Sequence, residues 1–322
     1  MPRQLWTIVT TCAVLLAALL LTASCTRADE PLRESREALG TVVAIAAYGP
    51  DETAMRAPVD AAYAAMEAVE AELDAHDPDS AIGRVNAAAE PALEALPPRA
   101  EAVLDAICFL EVREWFSPQL WAATAAWDFE EGGSVPTPAG LQSALADGRW
   151  DFGGAAKGLA LDEAALALGD SGTIDAALIS SGSTTLAFGE KPDGEPWRIG
   201  IEDPRDPAAV ITTVEAGGDI TVSTSGDYQR YFERDGVRYH HILDPATALP
   251  ARGLRSLTVV GDISGLDSDI LSTALFVAGP DAAIAYAEEH GFGLVLVDDE
   301  GRTRIVPGPQ GAPWNIVIEG AE

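Results

Sequence analysis

An α+β fold, in one large domain of mainly antiparallel strands packed with helices, is predicted by three observations. Helical periodicity dominates the first half of the 322-residue chain. Short β-branched runs separated by glycine turns dominate the second half, and no internal repeat or low-complexity break divides the two. A hydrophobic fraction of 48% is ample for a sizeable core.

Residues 1–24 read as a lipoprotein signal peptide. Arg3 supplies the positive end, residues 5–21 are almost wholly apolar, and Leu21-Thr22-Ala23-Ser24 leads to Cys25. Cys25 would carry lipid and tether an extracytoplasmic protein to a bacterial membrane. An uncleaved anchor is the other reading, because about 20 apolar residues span a bilayer. Residues 25–37 follow as a lipidated polar linker, and residues 38–322 make the domain. With Cys12 removed in the signal and Cys25 lipidated, Cys108 is the one remaining thiol. It is expected to be a buried structural cysteine in the run Val103, Leu104, Ile107, Leu110. An internal disulfide and a Cys/His zinc site are both excluded by that count.

Residues 39–48, rich in small and β-branched side chains, predict a strand. Residues 54–75 predict an amphipathic helix with Val59, Tyr63, Met66, Val69 and Leu73 at helical spacing. Asp77-Pro78-Asp79-Ser80 ends it and opens a short element through Ile82, Val85 and Asn86. A second long helix is predicted over 98–115. Residues 115–129, with Trp115, Phe116, Trp121, Trp127 and Phe129, read as an irregular segment pinned to the core or facing a planar ligand. Strands are predicted over 174–180, 184–189, 197–202, 211–215 and 219–224, then a hairpin over 229–242 turning at Asp235-Gly236. A strand over 255–260, helices over 271–277 and 282–290, and strands over 293–297, 302–306 and 314–318 complete the chain.

A formal charge of −31 repels nucleic acid and anionic lipid headgroups, which argues against both as partners. The chemistry concentrates around the stretch Asp-Phe-Gly-Gly-Ala-Ala-Lys-Gly-Leu-Ala-Leu-Asp at 151–162. Gly153 and Gly154 let the backbone lie directly against a ligand, and the helical pattern that follows presents free N–H groups suited to phosphate. Lys157 is one of two lysines, Lys191 being the other. Neither a Walker loop nor G-x-G-x-x-G is present, so by spacing alone an ordinary strand-to-helix turn competes with a binding loop. Asp269 and Thr273 lie four residues apart on a predicted helix and share a face, a hard-oxygen pair suited to Mg²⁺. By spacing, Asp262 and Asp267 compete with Asp269. His240 and His241 point to opposite faces of a strand, so only one can reach a site and act as a base. Ser223-Thr224-Ser225-Gly226 offers hydroxyls without a neighbouring base and reads as a polar cradle.

These segments together resemble the ApbE family, the FAD:protein FMN transferases. Residues 151–162 match its D-x-x-x-x-K-G-x-x-x-D signature. Leu39-Gly40-Thr41, Asp77–Asn86, Pro196-Trp197-Arg198, Ser223–Tyr228, His241–Pro245 and Asp269 with Thr273 recur in family order. The resemblance implies Mg²⁺-dependent transfer of FMN from FAD to a Thr or Ser hydroxyl on a partner, an exported loop of a redox membrane protein, with release of AMP. It implies Mg²⁺ held by the Gly154 carbonyl, Asp269 and Thr273. FAD would contact Leu39, His76, Asp151, Lys157 and the backbone around Leu243, with His241 as the base. Members usually have tyrosine where His76 stands, aspartate where Ser117 stands, Gly-Gly-Asn at Ser181–Thr184 and glycine at Ala248. A non-catalytic FAD-binding lipoprotein and a FAD pyrophosphatase giving FMN and AMP are the alternatives. A solute-binding lipoprotein is disfavoured by the lack of two similar α/β lobes.

Overall fold

The computed structural model describes residues 30–88, 91–129 and 133–317. The signal peptide, Cys12 and the lipid-bearing Cys25 lie outside the described residues. The chain opens with a hairpin, β1 (Leu32–Ala38) and β2 (Thr41–Tyr48), joined at Leu39-Gly40, both with positive φ. A helical block follows: α1 (Glu52–Leu73), α2 (Ala81–Asn86), α3 (Pro98–Phe109), α4 (Trp121–Trp127), α5 (Pro138–Leu145) and α6 (Ala156–Gly169). Strands β3 (Ala176–Ser180), β4 (Thr184–Phe188), β5 (Trp197–Asp203), β6 (Asp206–Ala216) and β7 (Ile220–Gly226) come next. The hairpin β8 (Tyr231–Arg234) and β9 (Val237–His240) precedes β10 (Leu254–Gly261), α7 (Gly265–Ala278) and α8 (Pro280–His290). Strands β11 (Gly293–Asp298), β12 (Thr303–Val306) and β13 (Trp314–Val317) end the described chain.

Eight strands form one antiparallel sheet in the order β1-β2-β3-β4-β7-β10-β11-β12, and β13-β6-β5 form a second sheet. Alternation sorts each central strand between two cores. Ile45, Ile179, Leu257, Val259, Leu294 and Leu296 face the helices. Ala176, Val222, Val260 and Val295 face the small sheet with Trp197, Val214 and Ile316. The α+β prediction therefore resolves into three layers: helices, the large sheet, and the small sheet.

Four local expectations are corrected. Residues 32–37, assigned to the linker, form β1. Its sequence Leu-Arg-Glu-Ser-Arg-Glu-Ala alternates in exposure rather than in hydrophobicity, as an edge strand carrying charge does. The helix expected over 98–115 stops at Phe109, because Glu111 takes a positive φ. Residues 121–127 are helical, where an irregular segment was expected. Cys108 is exposed: Ala100, Val103 and Ile107 make the buried stripe of α3, and Cys108 falls off it.

Helices α6 and α7 cross backbone to backbone. A Cβ on Gly158 would lie 2.0 Å from the Gly265 carbonyl oxygen, and one on Gly265 would lie 2.5 Å from that of Gly158. Exchanging glycine for alanine inside a helix ordinarily gains up to about 1 kcal/mol. Here Gly158→Ala is expected to lose about 1–3 kcal/mol by overpacking, seen as a lower urea midpoint. Gly169→Ala on the same helix meets no atom within 4 Å and is expected to be neutral or mildly stabilising.

Candidate active site

The approach to α6 is tied down from two sides. The Asn86 side chain donates to the Trp150 carbonyl at 2.8 Å and accepts from the Trp150 N–H at 2.8 Å. The Asp151 N–H donates to the Pro118 carbonyl at 2.7 Å, and the Asp151 carboxylate accepts from the Gly153 N–H at 2.9 Å. Phe116 closes the space behind Gly154, 3.1 Å from where a Cβ would stand. Helix α6 then begins with no side-chain cap. The Lys157 ammonium sits above that end, half-buried, 3.5 Å from the Gly153 carbonyl. It makes no ion pair among the described residues, so a helix N-terminus and a free cation share one turn.

Two carboxylates lock this turn to α7 in opposite directions. Asp162 on α6 accepts from Gly265 N–H at 2.6 Å and Leu266 N–H at 2.9 Å, capping α7. Asp269 on α7 accepts from Gly158 N–H at 2.9 Å, near the start of α6. The other Asp269 oxygen accepts from the Thr184 hydroxyl at 3.2 Å, with the Ser223 hydroxyl at 3.4 Å. Below them Ser225 bonds Ser272 and Thr273, each at 3.0 Å. Of the three aspartates that spacing left open, Asp269 is the one inside, at 4% exposure. Asp267 lies in the first turn of α7, and Asp262 is exposed.

The donor set suits a hard cation. Asp269 is a buried carboxylate with no basic side chain against it among the described residues, surrounded by hydroxyls and an amide. Thr273, one helical turn on, is half-buried. Gly154 lies one turn before Gly158, whose N–H holds Asp269. Among the described residues no group of three His, Cys, Asp or Glu could hold a metal. These donors therefore fit Mg²⁺ shared with phosphate oxygens better than a cage built wholly of protein.

The two histidines separate cleanly. His240 is buried, with Nε2 donating to the Ala251 carbonyl at 2.8 Å and Nδ1 accepting from Ile242 N–H at 3.3 Å. His241 is half-buried, and its Nδ1 lies 3.3 Å from the Arg230 carbonyl. A carbonyl only accepts, so the proton stands on Nδ1 and Nε2 is left as the acceptor. Burial, then the charges of Arg230, His240 and Lys157, hold the His241 pKa well below the ordinary imidazole value. The Lys157 charge thus reaches His241.

The remaining expected residues sit further out. Leu39 occupies the β1–β2 turn with φ 56° and packs on the main core. His76 is exposed after α1, where its N–H donates to Asp74 at 2.8 Å. No hydrogen bond or ion pair among the described residues joins either to α6. The Leu243 side chain is buried beside Trp127 and Ala248, which leaves its backbone as the part able to meet a ligand. Trp127, expected as core or as a stacking face, is core: it is 1% exposed, and its indole donates to the Ala248 carbonyl at 2.8 Å.

Sequence reasoning gave no role to Asp162, Thr184 or Ser272. Gly158 and Asp162 are i and i+4 on one face, and Thr221, Ser223 and Ser225 alternate along β7. Both periodicities were readable signals for a polar face under α7. Burial pushes the Asp162 carboxyl up to about 6, against the pull of the two α7 amides. With the folded value above the unfolded one of about 3.9, its contribution to stability is full below the unfolded value. That contribution fades as pH rises through about 6. Asp162→Asn is therefore expected to remove a fall in unfolding free energy on the order of 2 kcal/mol between acid and neutral pH. Parallel urea titrations of the two proteins across that range measure the difference.

Comparison with known proteins places the chain. A FAD:protein FMN transferase of Treponema pallidum is 29% identical over 310 residues, covering 84% of this chain and 85% of its own. One from Rhodobacter capsulatus is 39% identical over 158 residues, 49% of this chain but 29% of the relative. The apbe protein of Thermotoga maritima superposes with a TM-score of 0.74 at 29% identity, covering 85% of this chain and 96% of that one. The apo flavinyl transferase ApbE of Pseudomonas stutzeri gives 0.70 at 30% identity, covering 86% and 94%. The model of the ApbE family matches residues 39–296, and the chain belongs to that family.

Proposed function

We propose that this protein is a FAD:protein FMN transferase. The observation that carries the reading is the Asp269–Thr273 face of α7 held against the Lys157 end of α6, with the acceptor nitrogen of His241 nearby. The names of its relatives support the same activity. FAD is the substrate, and a Thr or Ser hydroxyl of a partner protein is the acceptor.

The residues divide the work. The Gly153-Gly154 turn and the uncapped start of α6 receive the diphosphate. The Lys157 ammonium neutralises charge developing on its oxygens as the phosphorus changes partner. The Gly154 carbonyl, Asp269 and Thr273 would hold Mg²⁺, which when bound supplies further charge neutralisation at the diphosphate. His241 Nε2 takes the proton of the acceptor hydroxyl, whose oxygen bonds to the FMN phosphorus. The bond from that phosphorus to the bridging oxygen breaks, and AMP departs with the bond's electron pair. Thr184, Ser223 and Gly158 hold Asp269 in place without competing charge.

The same reading takes residues 1–24 as a signal peptide and Cys25 as the lipid anchor, so that the domain, from β1 onward, meets an exported loop of a redox membrane protein. Support comes from the sequence before Cys25. Metabolic labelling with a fatty acid is expected to mark the exported protein and to vanish in Cys25→Ser.

Incubated with FAD, Mg²⁺ and a threonine-containing acceptor peptide, the protein is expected to release one AMP for each flavin bound to peptide. AMP without flavinylated peptide would mark a pyrophosphatase, and tight FAD retention without AMP a binding protein. Asp269→Ala is expected to abolish AMP release. His241→Gln is expected to cut the transfer rate about 10²–10⁴-fold while leaving FAD affinity near normal. The low His241 pKa keeps the imidazole neutral at neutral pH. The acid limb of the wild-type rate profile should therefore lie below the ordinary value of about 6.5, and His241 adds no alkaline limb.

A further inference from the structure

The chain carries 51 acidic and 20 basic residues, yet Arg230, Arg234, Arg238, Arg252 and Arg255 fall within one stretch containing Glu233, Asp235 and Asp244. That stretch holds the β8–β9 hairpin, which runs straight into His241. The hairpin is braced from behind by stacked rings. Tyr239 lies 5.4 Å from Trp127 and 5.2 Å from Phe232, centroid to centroid. Two guanidinium groups lie against these rings, Arg234 at 5.7 Å from the Phe232 centroid and Arg252 at 5.7 Å from that of Tyr239. Both side chains are exposed. Among the described residues their polar contacts are carbonyls: Arg234 donates to Gly133 at 3.1 Å and Arg252 to Arg238 at 2.8 Å. Arg238 and Arg205, by contrast, are neutralised on Asp227 and Glu233.

Carboxylates outnumber cations more than twofold in this protein. Among the described residues Arg84 and Arg113 also lack an ion pair, but Arg234 and Arg252 lie together against the stacked Phe232 and Tyr239 rings of the hairpin that runs into His241. Backbone carbonyls and ring faces fix their direction, and neither makes an ion pair among the described residues. The net charge of the chain repels an acidic segment, and this hairpin, which runs into the proposed base, offers it a preset pair of cations. We propose that the Arg234–Arg252 face of the β8–β9 hairpin docks an acidic acceptor segment, with carboxylates flanking the hydroxyl residue that receives FMN. The inference rests on the transferase reading and adds to it the chemistry of the partner.

The test uses the full chain and two labelled peptides, one with aspartates flanking a central threonine and one with asparagines in their place. Binding is read by fluorescence anisotropy, which does not depend on turnover, and flavin transfer is read separately. Wild-type protein is expected to bind the aspartate peptide about tenfold more tightly, and the preference should fade at about 0.5 M salt. Arg234→Ser with Arg252→Ser should erase the preference, and charge reversal to glutamate at both positions should favour a lysine-flanked peptide. FAD affinity of these variants, read by flavin fluorescence, should match wild type. Equal binding of the two wild-type peptides would overturn the docking site. So would weakened FAD affinity in the double variant, which would assign the arginines to the dinucleotide. Charge-dependent peptide binding without any flavin transfer would leave the docking site standing and remove the transferase reading instead.

Discussion

Helices α6 and α7 touch backbone to backbone at Gly158 and Gly265, and each lends the other a carboxylate. Asp162 satisfies amides that open α7, and Asp269 satisfies an amide near the start of α6. An unpaired N–H at such a buried crossing would cost about 1–3 kcal/mol, so the pairs fix the relative position of the helices as well as stabilising it. Any rotation of α7 about its axis would break both pairs and carry Thr273 away from the Lys157 turn. The geometry of the site depends on this reciprocal contact more than on any residue that would touch the substrate.

The large sheet supplies the third side. Its helix-facing surface is apolar on most strands, but β7 turns Thr221, Ser223 and Ser225 toward α7, and Thr184 stands opposite Ser223 on β4. Hydroxyls in that position donate to Asp269 without neutralising it. A lysine or arginine there would have formed a closed ion pair and ended the capacity of Asp269 to hold a cation. The apolar strands and the single polar column are therefore parts of one design: rigid packing around a carboxylate kept available.

Charge is placed in the same way. Burial and neighbouring cations keep His241 neutral, while its carbonyl contact with Arg230 sets which nitrogen accepts a proton. Its neighbour His240 spends both ring nitrogens on backbone and serves to join β9 to the segment before β10. The hairpin that leads to both is held by ring stacking and by the cross-strand Arg238–Glu233 ion pair, while Arg234 and Arg252 at its rim make no ion pair among the described residues.

Periodicity and turn chemistry in the sequence determined the order and kind of nearly every element, because those signals act within a few residues: the Asp235-Gly236 hairpin and the Ser80 cap of α2 are examples. Family order further picked out Lys157, His241, Asp269 and Thr273. β1 was hidden because its pattern is one of exposure on an edge, and Cys108 was misplaced because an apolar run does not reveal which face it turns inward. Spacing alone left open which aspartate and which histidine enter the site, and that Asp162 acts by capping α7 was decided by tertiary structure alone. Gly158 and Asp269 are 111 residues apart, and the contact between them arises from packing two helices on one sheet, which no local pattern encodes.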